Sequence, residues 1–342
     1  MQELNGEQAI LLAIIAGRNM DWTQCQYLVV IVNYRTAART NACLDRLAAE
    51  IASVPEACVV VVDNDSQDGS FQAIRDYIAA QQWPWAVALS APKNGGYAYG
   101  NNFAIRQALA SDSPPQYIHL LNPDTEVRPG ALSQLHQFME RTPEAGLCGG
   151  CFENPDGSLW RNAFRFPSIL GEVNRGLQLG LVTRLLRNHA TVREMDDSTE
   201  QVDWLPGASL LVRRQVFEDV GLMDEHYFLY YEETDFCLAA HRAGWQCWYV
   251  PASKVMHIAG DSTGVTSREG APKPLPKFVF DSRRYYFVKN HSLLYAAGAD
   301  ACWIICFAAW RLRRCLQRKP DRDPPGLLRD SISHSVFVRG GQ

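Results

Sequence analysis

The chain has 342 residues, of which 47% are hydrophobic and 20% charged, and its formal net charge is −4. This composition is ordinary for a globular protein and excludes a collagen, a coiled coil and a disordered chain. The acidic balance also argues against a general nucleic-acid-binding protein, which needs a basic surface. The length allows two domains or one large α/β domain with additions.

The N-terminal segment contains a short apolar stretch, residues 9–17, which follows two glutamates. A signal peptide has a basic leader, and a stretch this short cannot cross a bilayer. We therefore interpret residues 1–26 as a short helical docking segment.

Apolar, β-rich segments alternate with helical patterns from residue 27 to about residue 151. Strands are predicted at 27–33, 58–63, 85–90 and 117–121, and helices at 37–53, 68–81, 98–110 and 129–141. Alternation at this spacing predicts a parallel sheet with right-handed crossovers. In such sheets, ligands bind beyond the carboxyl ends of the strands.

Polar residues cluster at those strand ends. Asn33 ends the first strand, the segment Asp63–Ser70 follows the second, Asn94 follows the third, and Asn122-Pro-Asp124 follows the fourth. The sequence has neither a G-x-G-x-x-G after the first strand nor a P-loop. Carboxylates and amides at these positions suit ribose hydroxyls, a base edge and a metal ion better than bare phosphate.

Three acids stand at the start of a helix that is predicted to run to about Ala243. Glu232, Glu233 and Asp235 occupy three of four successive positions. Acids in a first helical turn complement the helix dipole, whereas a carboxylate beside aromatic residues suits a general base. Spacing alone leaves both interpretations open.

Asp124 and His257 also allow two interpretations each. Asn-Pro-Asp is a good turn, and single histidines are more often ordinary hydrogen-bonded groups than metal ligands. Residues 168–200 are interpreted as irregular, and residues 260–276, rich in Gly, Ser, Thr and Pro, as a mobile loop or lid.

The cysteines and the C-terminal region indicate where in the cell the protein acts. Ten scattered cysteines indicate a reducing cytoplasm, and Cys148 and Cys151 are interpreted as buried strand thiols. Leu293–Trp310 is apolar except for Asp300, and a basic cluster follows it. Attachment to an anionic membrane surface, a packed C-terminal helix and a membrane span stay open for this segment.

Taken in order, these motifs resemble the family 2 glycosyltransferases with a GT-A fold, in particular the rhamnosyltransferase-like branch. The matching stretches are Val30–Tyr34, Val61–Ser70, Asn94–Asn102, Leu120–Thr125, Trp204–Ala208, Met223–Glu225, Phe228–Cys237 and His257–Thr263. The resemblance implies a single α/β domain over residues 27–260, with a Rossmann-like mixed sheet flanked by helices. Residues 261–342 would then form a mobile loop and a C-terminal helical, membrane-facing tail.

The resemblance also implies a reaction and a set of site residues. The reaction is inverting transfer of a sugar, rhamnose in this branch, from a dTDP- or UDP-sugar donor to a hydroxyl of a cell-surface glycan or lipid-linked acceptor. It would take place in the cytoplasm at the inner face of the cell membrane, with Mg²⁺ or Mn²⁺ and without nucleic acid. The implied residues are Asn33, Asp63, Asp65, Asn94, Asn122 and Asp124 for the donor, Asp124 and His257 for the metal, Trp204, Gly207, Glu232 and Asp235 on the acceptor side, and Glu233 as the base.

Two departures from the family pattern concern this site. Relatives usually read Glu-Asp-x-Asp where this chain has Glu232-Glu-Thr-Asp235, which leaves open whether Glu232 or Glu233 is the base. The first position of the D-x-D motif is Asn122, so one carboxylate must suffice for the ion.

Two other function classes are weighed against this one. A nucleotidyltransferase would need a Gly-rich, basic loop after the first strand, and Asn33-Tyr-Arg-Thr36 is not such a loop. A degenerate GT-A protein with a binding or scaffolding role would not need the carboxylates that follow three strands.

Overall fold

The computed structural model describes residues 20, 22–160, 163–258, 272–321 and 323–341. Most of the predicted N-terminal helical segment and most of the predicted loop 260–276 therefore lie outside the described residues. The strands are β1 (Tyr27–Asn33), β2 (Ala57–Asp63), β3 (Ala86–Ser90), β4 (Tyr117–Leu121), β5 (Thr125–Val127), β6 (Ala145–Glu153), β7 (Leu159–Trp160), β8 (Ala163–Phe164), β9 (Val192–Arg193), β10 (Glu200–Val202), β11 (Ser209–Arg213) and β12 (Gln246–His257).

The α-helices lie between and after these strands. They are α1 (Ala37–Glu50), α2 (Ser70–Ala80), α3 (Gly96–Leu109), α4 (Ala131–Arg141), α5 (Ile169–Leu177), α6 (Gly180–Leu185), α7 (Arg214–Val220), α8 (Glu232–Arg242), α9 (Lys277–Asn290), α10 (Leu293–Leu316), α11 (Leu327–Ser333) and α12 (Val336–Arg339). Short 3₁₀ turns occur at Trp22–Gln24, Ile51–Ser53 and Arg187–His189.

Ten strands form one mixed sheet in the order β10-β12-β6-β11-β4-β1-β2-β3, with β5 beside β12 and β7 beside β6. β1 is parallel to β2 and β4, and β2 is parallel to β3. β11 is antiparallel to both β4 and β6 and marks where the parallel half ends. The predicted mixed sheet flanked by helices is therefore confirmed.

The sheet is covered on both faces, which explains its unbroken apolar strands. Successive residues of β1 alternate between two cores: Val30 packs in one, and Val29 and Ile31 in the other. The first core also holds Ile105 of α3, and the second holds Leu132 of α4. Strands that are buried on both faces have continuous apolar sequences. The helices predicted between the strands cover the two faces of the sheet.

The segment 168–200 is more regular than the sequence indicated, because α5 and α6 lie in it. The side chain of Ser168 caps α5 by accepting a hydrogen bond from the amide of Gly171 at 3.1 Å. At Gly176, a Cβ would lie 2.8 Å from the Cβ of Cys306, so glycine lets α5 and α10 pack closely. The expectation of irregular structure here is wrong, because helix–helix packing outweighs the glycines that favour a loop.

The C-terminal helices pack on α8 and on the segment before it. Tyr227 and Leu238 form a small core with Tyr286 and Phe287 of α9, together with residues of α10. α10 extends past the predicted end at Trp310 and, by length and composition alone, could cross a membrane. Core helices of soluble proteins can have the same length and composition, so this property alone does not assign the helix to a bilayer.

The cysteines divide into two groups. Cys148 and Cys151 are buried in β6 as free thiols. Cys25 and Cys58 are joined by a disulfide, with Cα atoms 5.7 Å apart. The sequence indicates reduced cysteines, and this pair differs because the 3₁₀ turn at Trp22–Gln24, just before β1, brings Cys25 next to Cys58 near the start of β2.

Candidate functional site

A cavity of about 450 Å³ opens at the carboxyl ends of the parallel strands. Seven of the residues that the sequence analysis implicated line it: Asn94, Asn122, Asp124, Gly207, Glu232, Glu233 and His257. They come from five separate segments of the chain, so the fold gathers them. This is the edge of an α/β sheet where ligands are expected.

Asp124 and His257 form a pair on one wall of the cavity. Asp124 follows β4, and Thr125 comes next in the chain. The antiparallel pairing of β5 with β12 places His257 opposite Thr125 and therefore near Asp124. Oδ1 of Asp124 lies 3.4 Å from Nε2 of His257. The imidazole stacks on the Trp160 ring with centroids 6.0 Å apart. The pair is therefore held in place by strand pairing and by ring packing.

The chemistry of this pair suits a divalent ion. Nδ1 of His257 is buried and has no hydrogen-bond partner among the described groups, and a carboxylate lies beside the other ring nitrogen. The described residues contain no cluster of three His, Cys, Asp or Glu side chains that could hold a metal. Mg²⁺ and Mn²⁺ commonly take one or two protein ligands and complete their shells with water and substrate phosphates. The pair fits an ion that is bound together with a diphosphate.

Glu232 and Glu233 open α8 and face the same cavity. The two preceding residues, Tyr230 and Tyr231, adopt left-handed backbone conformations with φ of 68° and 72°. Each glutamate keeps one carboxylate oxygen without a hydrogen-bond partner in the described part of the chain. Positive φ is strained for residues other than glycine, and this strained backbone at Tyr230 and Tyr231 sets the position of the two glutamates.

The two glutamates differ in electrostatic environment. Burial raises the pKa of both carboxyl groups, and for Glu232, which is 2% exposed, the charge of Glu233 raises the pKa further. Backbone amides, including that of Gly207, act in the opposite direction on the pKa of Glu233. Glu232 therefore favours its neutral form more strongly, and Glu233 is the one better able to ionise.

Tyr97 lies among the acids of the site. Its hydroxyl donates to the carbonyl oxygen of Gly207 at 2.6 Å, and its amide donates to the carbonyl oxygen of Phe228 at 3.0 Å. Burial and then the charges of Glu233 and Glu232 raise the pKa of the Tyr97 hydroxyl, so this group stays protonated. Sequence reasoning missed Tyr97 as a site residue, although it stands in the Gly-Gly-Tyr motif after the third strand.

Two asparagines link the second and third strand ends. Nδ2 of Asn64 donates to Oδ1 of Asn94 at 3.0 Å and to the carbonyl oxygen of Gly96 at 2.9 Å. Oδ1 of Asn94 also accepts from the amide of Gly96 at 3.1 Å. Asn64 lines the cavity and was also missed, because its acidic neighbours in the same loop are the more conspicuous candidates.

Comparison with known proteins decides the family. The model of the family described as "Glycosyl transferase family 2" matches residues 28–221. This chain belongs to glycosyl transferase family 2.

Two relatives and one solved structure agree with this assignment. The "N-acetylglucosaminyl-diphospho-decaprenol L-rhamnosyltransferase" of Mycobacterium tuberculosis is 34% identical over 233 residues, which are 65% of this chain and 73% of that protein. The "dTDP-rhamnosyl transferase RfbF" of Shigella flexneri is 27% identical over 267 residues, 78% of each chain. A mannosyltransferase from Pyrobaculum calidifontis, solved with GDP-Man and Mn²⁺, has a TM-score of 0.53 at 14% identity, covering 98% of this chain and 92% of that one.

These comparisons confirm the predicted family, the GT-A fold and the function class. The protein is an inverting glycosyltransferase that uses a nucleotide-sugar donor. The solved structure, at its low identity, supports the fold alone. Nothing among the comparisons supports a nucleotidyltransferase or a scaffolding protein.

Three predicted donor residues of this glycosyltransferase do not line the cavity. Nδ2 of Asn33 and Oγ of Ser66 each donate to Oδ1 of Asp63 at 2.6 Å, and Asn33 and Asp63 are both buried. Asp65 accepts hydrogen bonds from the exposed side chain of Gln67. In this structure the three residues shape the loop after β2, next to the cavity wall formed by Asn64.

Two predicted acceptor-side residues also lie elsewhere. The Trp204 ring stacks on Phe164 with centroids 4.4 Å apart, outside the cavity lining. Oδ2 of Asp235 accepts from Nζ of Lys289 at 2.6 Å, and Oδ1 accepts from Nδ2 of Asn290 at 2.5 Å. Asp235 therefore anchors α9 to α8, because the charge of Lys289 draws it to that interface.

Proposed function

We propose that this family 2 glycosyltransferase transfers rhamnose from a dTDP- or UDP-linked donor to a hydroxyl of a glycan or lipid-linked acceptor, with Mg²⁺ or Mn²⁺. The observation that carries the proposal is the shared cavity. It holds the Asp124–His257 pair and the carboxylates of Glu232 and Glu233 within one space of about 450 Å³.

In the proposed reaction Glu233 is the general base. Its carboxylate takes the proton from the acceptor hydroxyl as that oxygen bonds to the anomeric carbon. The bond from the anomeric carbon to the diphosphate oxygen breaks, and the nucleoside diphosphate leaves with the electron pair. Attack from the opposite face inverts the anomeric configuration, and a positioned base of this kind contributes about 10²–10⁴ in rate.

Asp124 and His257 would hold the divalent ion, which acts as a Lewis acid that offsets charge on the leaving diphosphate. Asn122 and Asn94 line the same cavity and offer amide groups to the donor. Tyr97 stays protonated and holds the Gly207 backbone, so it orients the segment beside Glu233. We assign Asn33, Asp63 and Asp65 to support of the nucleotide side, on the basis of the family motif.

The choice of sugar rests on the lining and on the relatives. Much of the cavity wall is apolar, including Trp160, Pro206, Phe228, Leu229 and Phe278. Such a wall suits a sugar with a methyl group where a hexose has a hydroxymethyl group, because burying an unpaired hydroxyl costs free energy. The Mycobacterium tuberculosis and Shigella flexneri relatives are both rhamnosyltransferases by name.

The acceptor and location follow from the same relatives. The mycobacterial protein is named for a decaprenol-linked acceptor, which is a membrane lipid. We accordingly propose a lipid-linked or cell-surface glycan acceptor and action at the cytoplasmic face of the cell membrane.

A screen of donors tests this function. The full chain is incubated with dTDP-rhamnose, UDP-sugars or GDP-sugars and a lipid-diphosphate-linked GlcNAc acceptor, and products are measured by mass spectrometry. We expect dTDP- or UDP-rhamnose to turn over with Mn²⁺ or Mg²⁺ and the turnover to stop with chelator. Transfer from GDP-sugars alone, or transfer that persists after the metal is removed, would contradict the proposal.

A further inference from the structure

An exposed apolar band crosses the surface formed by α6 and α10. On α10, the side chains of Leu294, Ile305, Leu312 and Leu316 are 63–85% exposed and recur at helical spacing. On α6, Leu181 and Leu185 are likewise exposed, at 68% and 73%. Large apolar side chains in contiguous exposed arrays mark an interaction site rather than an ordinary surface.

The other face of α10 is already committed to the protein. Ala296, Ala299, Trp303 and Phe307 on that face are buried. The helix is therefore apolar on both sides, although only one side packs against the described part of the protein. A helix at a water-exposed surface ordinarily carries polar residues on its outer face.

The two parts of the band adjoin each other. The guanidinium of Arg313, near the end of α10, donates to the carbonyl oxygen of Gln178 at 3.2 Å. Gln178 lies immediately before Leu179 and α6, and the Leu179 side chain is also exposed. This contact joins the residue before Leu179 and α6 to the C-terminal part of α10, where Leu312 and Leu316 are exposed.

Basic residues without acidic partners border this surface. Arg184 and Arg187 belong to α6 and the turn after it, and Arg318 and Lys319 follow α10. Within the described chain, none of the four pairs with an acid at salt-bridge distance, and the sequence has no Asp or Glu at 173–193 or 301–320. Local charge is therefore positive although the whole chain is acidic.

We propose that α6 and α10 together form a docking surface for an anionic lipid bilayer. The exposed leucines and Ile305 would enter the interfacial region, and the four unpaired basic residues would contact anionic headgroups. Apolar insertion combined with basic contacts is how amphipathic surface helices bind membranes. The inference deepens the membrane-face part of the proposed function by assigning the surface, including α6, that carries it.

The contacts of α10 favour lying on the membrane rather than crossing it. Asp300 is buried, pairs with Arg283, and accepts from the Val336 amide at 2.8 Å. Fourteen residues further along, Arg314 is buried and pairs with Asp323 at 2.8 Å. Inserting α10 across a bilayer would break both ion pairs and leave two charges in hydrocarbon, which is costly.

Vesicle flotation with the full chain tests the proposal. Phosphatidylcholine vesicles are compared with vesicles that also contain phosphatidylglycerol, at low and high salt. We expect binding to the anionic vesicles and its release by salt. Each neutralised basic residue should weaken binding about fivefold, so Arg184→Gln with Arg187→Gln should weaken it roughly 25-fold. Leu312→Gln should weaken it about tenfold by removing apolar insertion.

Controls separate docking from folding and from catalysis. Arg75→Gln with Arg141→Gln removes the same charge from exposed sites on α2 and α4 and should leave vesicle binding unchanged. Thermal unfolding of each variant shows that it is folded. Binding is measured without turnover, so it is independent of catalysis. An inactive enzyme that still binds vesicles would support docking while refuting the proposed function. Equal binding to neutral and anionic vesicles would overturn the proposal. So would a wild-type dimer, dissociated by Leu312→Gln, that does not bind lipid.

Discussion

Replacing each of the two cavity glutamates by glutamine, one at a time, distinguishes the general base from its neighbour. Both carboxyl groups have a raised pKa because of burial, but Glu232 is also raised by the charge of Glu233 and lacks the opposing amide of Gly207. Glu232 therefore favours its neutral form more strongly than Glu233 does, and a glutamine there resembles that neutral acid. Glu233→Gln removes the group that accepts the proton.

The expected magnitudes differ widely. A positioned general base contributes about 10²–10⁴ to the rate, so Glu233→Gln should lower kcat by that factor with nucleotide affinity nearly intact. Glu232→Gln should lower kcat by less than about tenfold, the loss of one neutral hydrogen-bonding group. The assay is initial transfer rate by mass spectrometry beside nucleotide affinity by calorimetry. A larger loss in Glu232→Gln than in Glu233→Gln would refute the assignment of the base.

The pH dependence and the stability of the same variants give a second check. Because the pKa of Glu233 is raised, the rate of transfer should fall as pH drops through that raised value. Glu232 and Glu233 interact, so the fall in the rate of the wild-type enzyme at low pH should reflect the titration of both carboxyl groups together. A raised carboxyl pKa means that the folded state binds the proton more tightly than the unfolded state. Folding stability is therefore lost as pH rises from the ordinary pKa of a glutamate through the raised pKa of Glu232. Since glutamine carries no charge, Glu232→Gln should raise Tm at neutral pH. A lowered Tm would contradict this account.

Three further substitutions test other parts of the structure. Gly96→Ala should destabilise by more than about 2 kcal/mol in denaturant unfolding, because its φ is 89° and a Cβ would lie 1.9 Å from the carbonyl oxygen of Phe228; wild-type stability would contradict the left-handed conformation. Asp124→Ala should abolish the part of nucleotide affinity that depends on Mn²⁺, and unchanged calorimetric titrations would refute its pairing with His257 at a metal. Arg283→Met should cost about 3–5 kcal/mol in urea unfolding, because it leaves the buried Asp300 without a cationic partner and leaves Glu172 paired with Arg175 alone; a loss below about 1 kcal/mol would count against the buried cluster.

The parallel half of the fold could be predicted because its signal is local. β1 and β4 have the bounds that were predicted, since unbroken apolar runs leave little freedom of assignment. The helix α5 could not be predicted in this way. Its sequence carries Gly176, which favours a loop, and what overrides this glycine is contact with α10, more than a hundred residues away.

The cavity lining was predictable where polar residues directly follow strands. Asn94, Asn122 and Asp124 follow strands directly, and the sheet edge brings them into the cavity. Asp235 shows where such reasoning ends. It is one turn from Glu232 on α8, yet Lys289, which is distant in sequence, determines its direction. A motif indicates that an acid belongs to the region of the cavity, whereas long-range charge decides which acid lines it.

The C-terminal helices connect the two proposed faces of the protein. α9 holds α8 through Lys289 and Asp235, and holds α10 and α5 through Arg283, whose guanidinium binds Asp300 and Glu172. The helix α9 therefore contacts both α8, which follows the strained residues Tyr230 and Tyr231, and α10, which belongs to the proposed membrane surface. Because buried ion pairs are costly to break singly, these helices should move as one body with the catalytic half. If the enzyme docks on lipid through α6 and α10 as proposed, its cavity would stay at a constant height and orientation over the bilayer, which suits the proposed lipid-anchored acceptor.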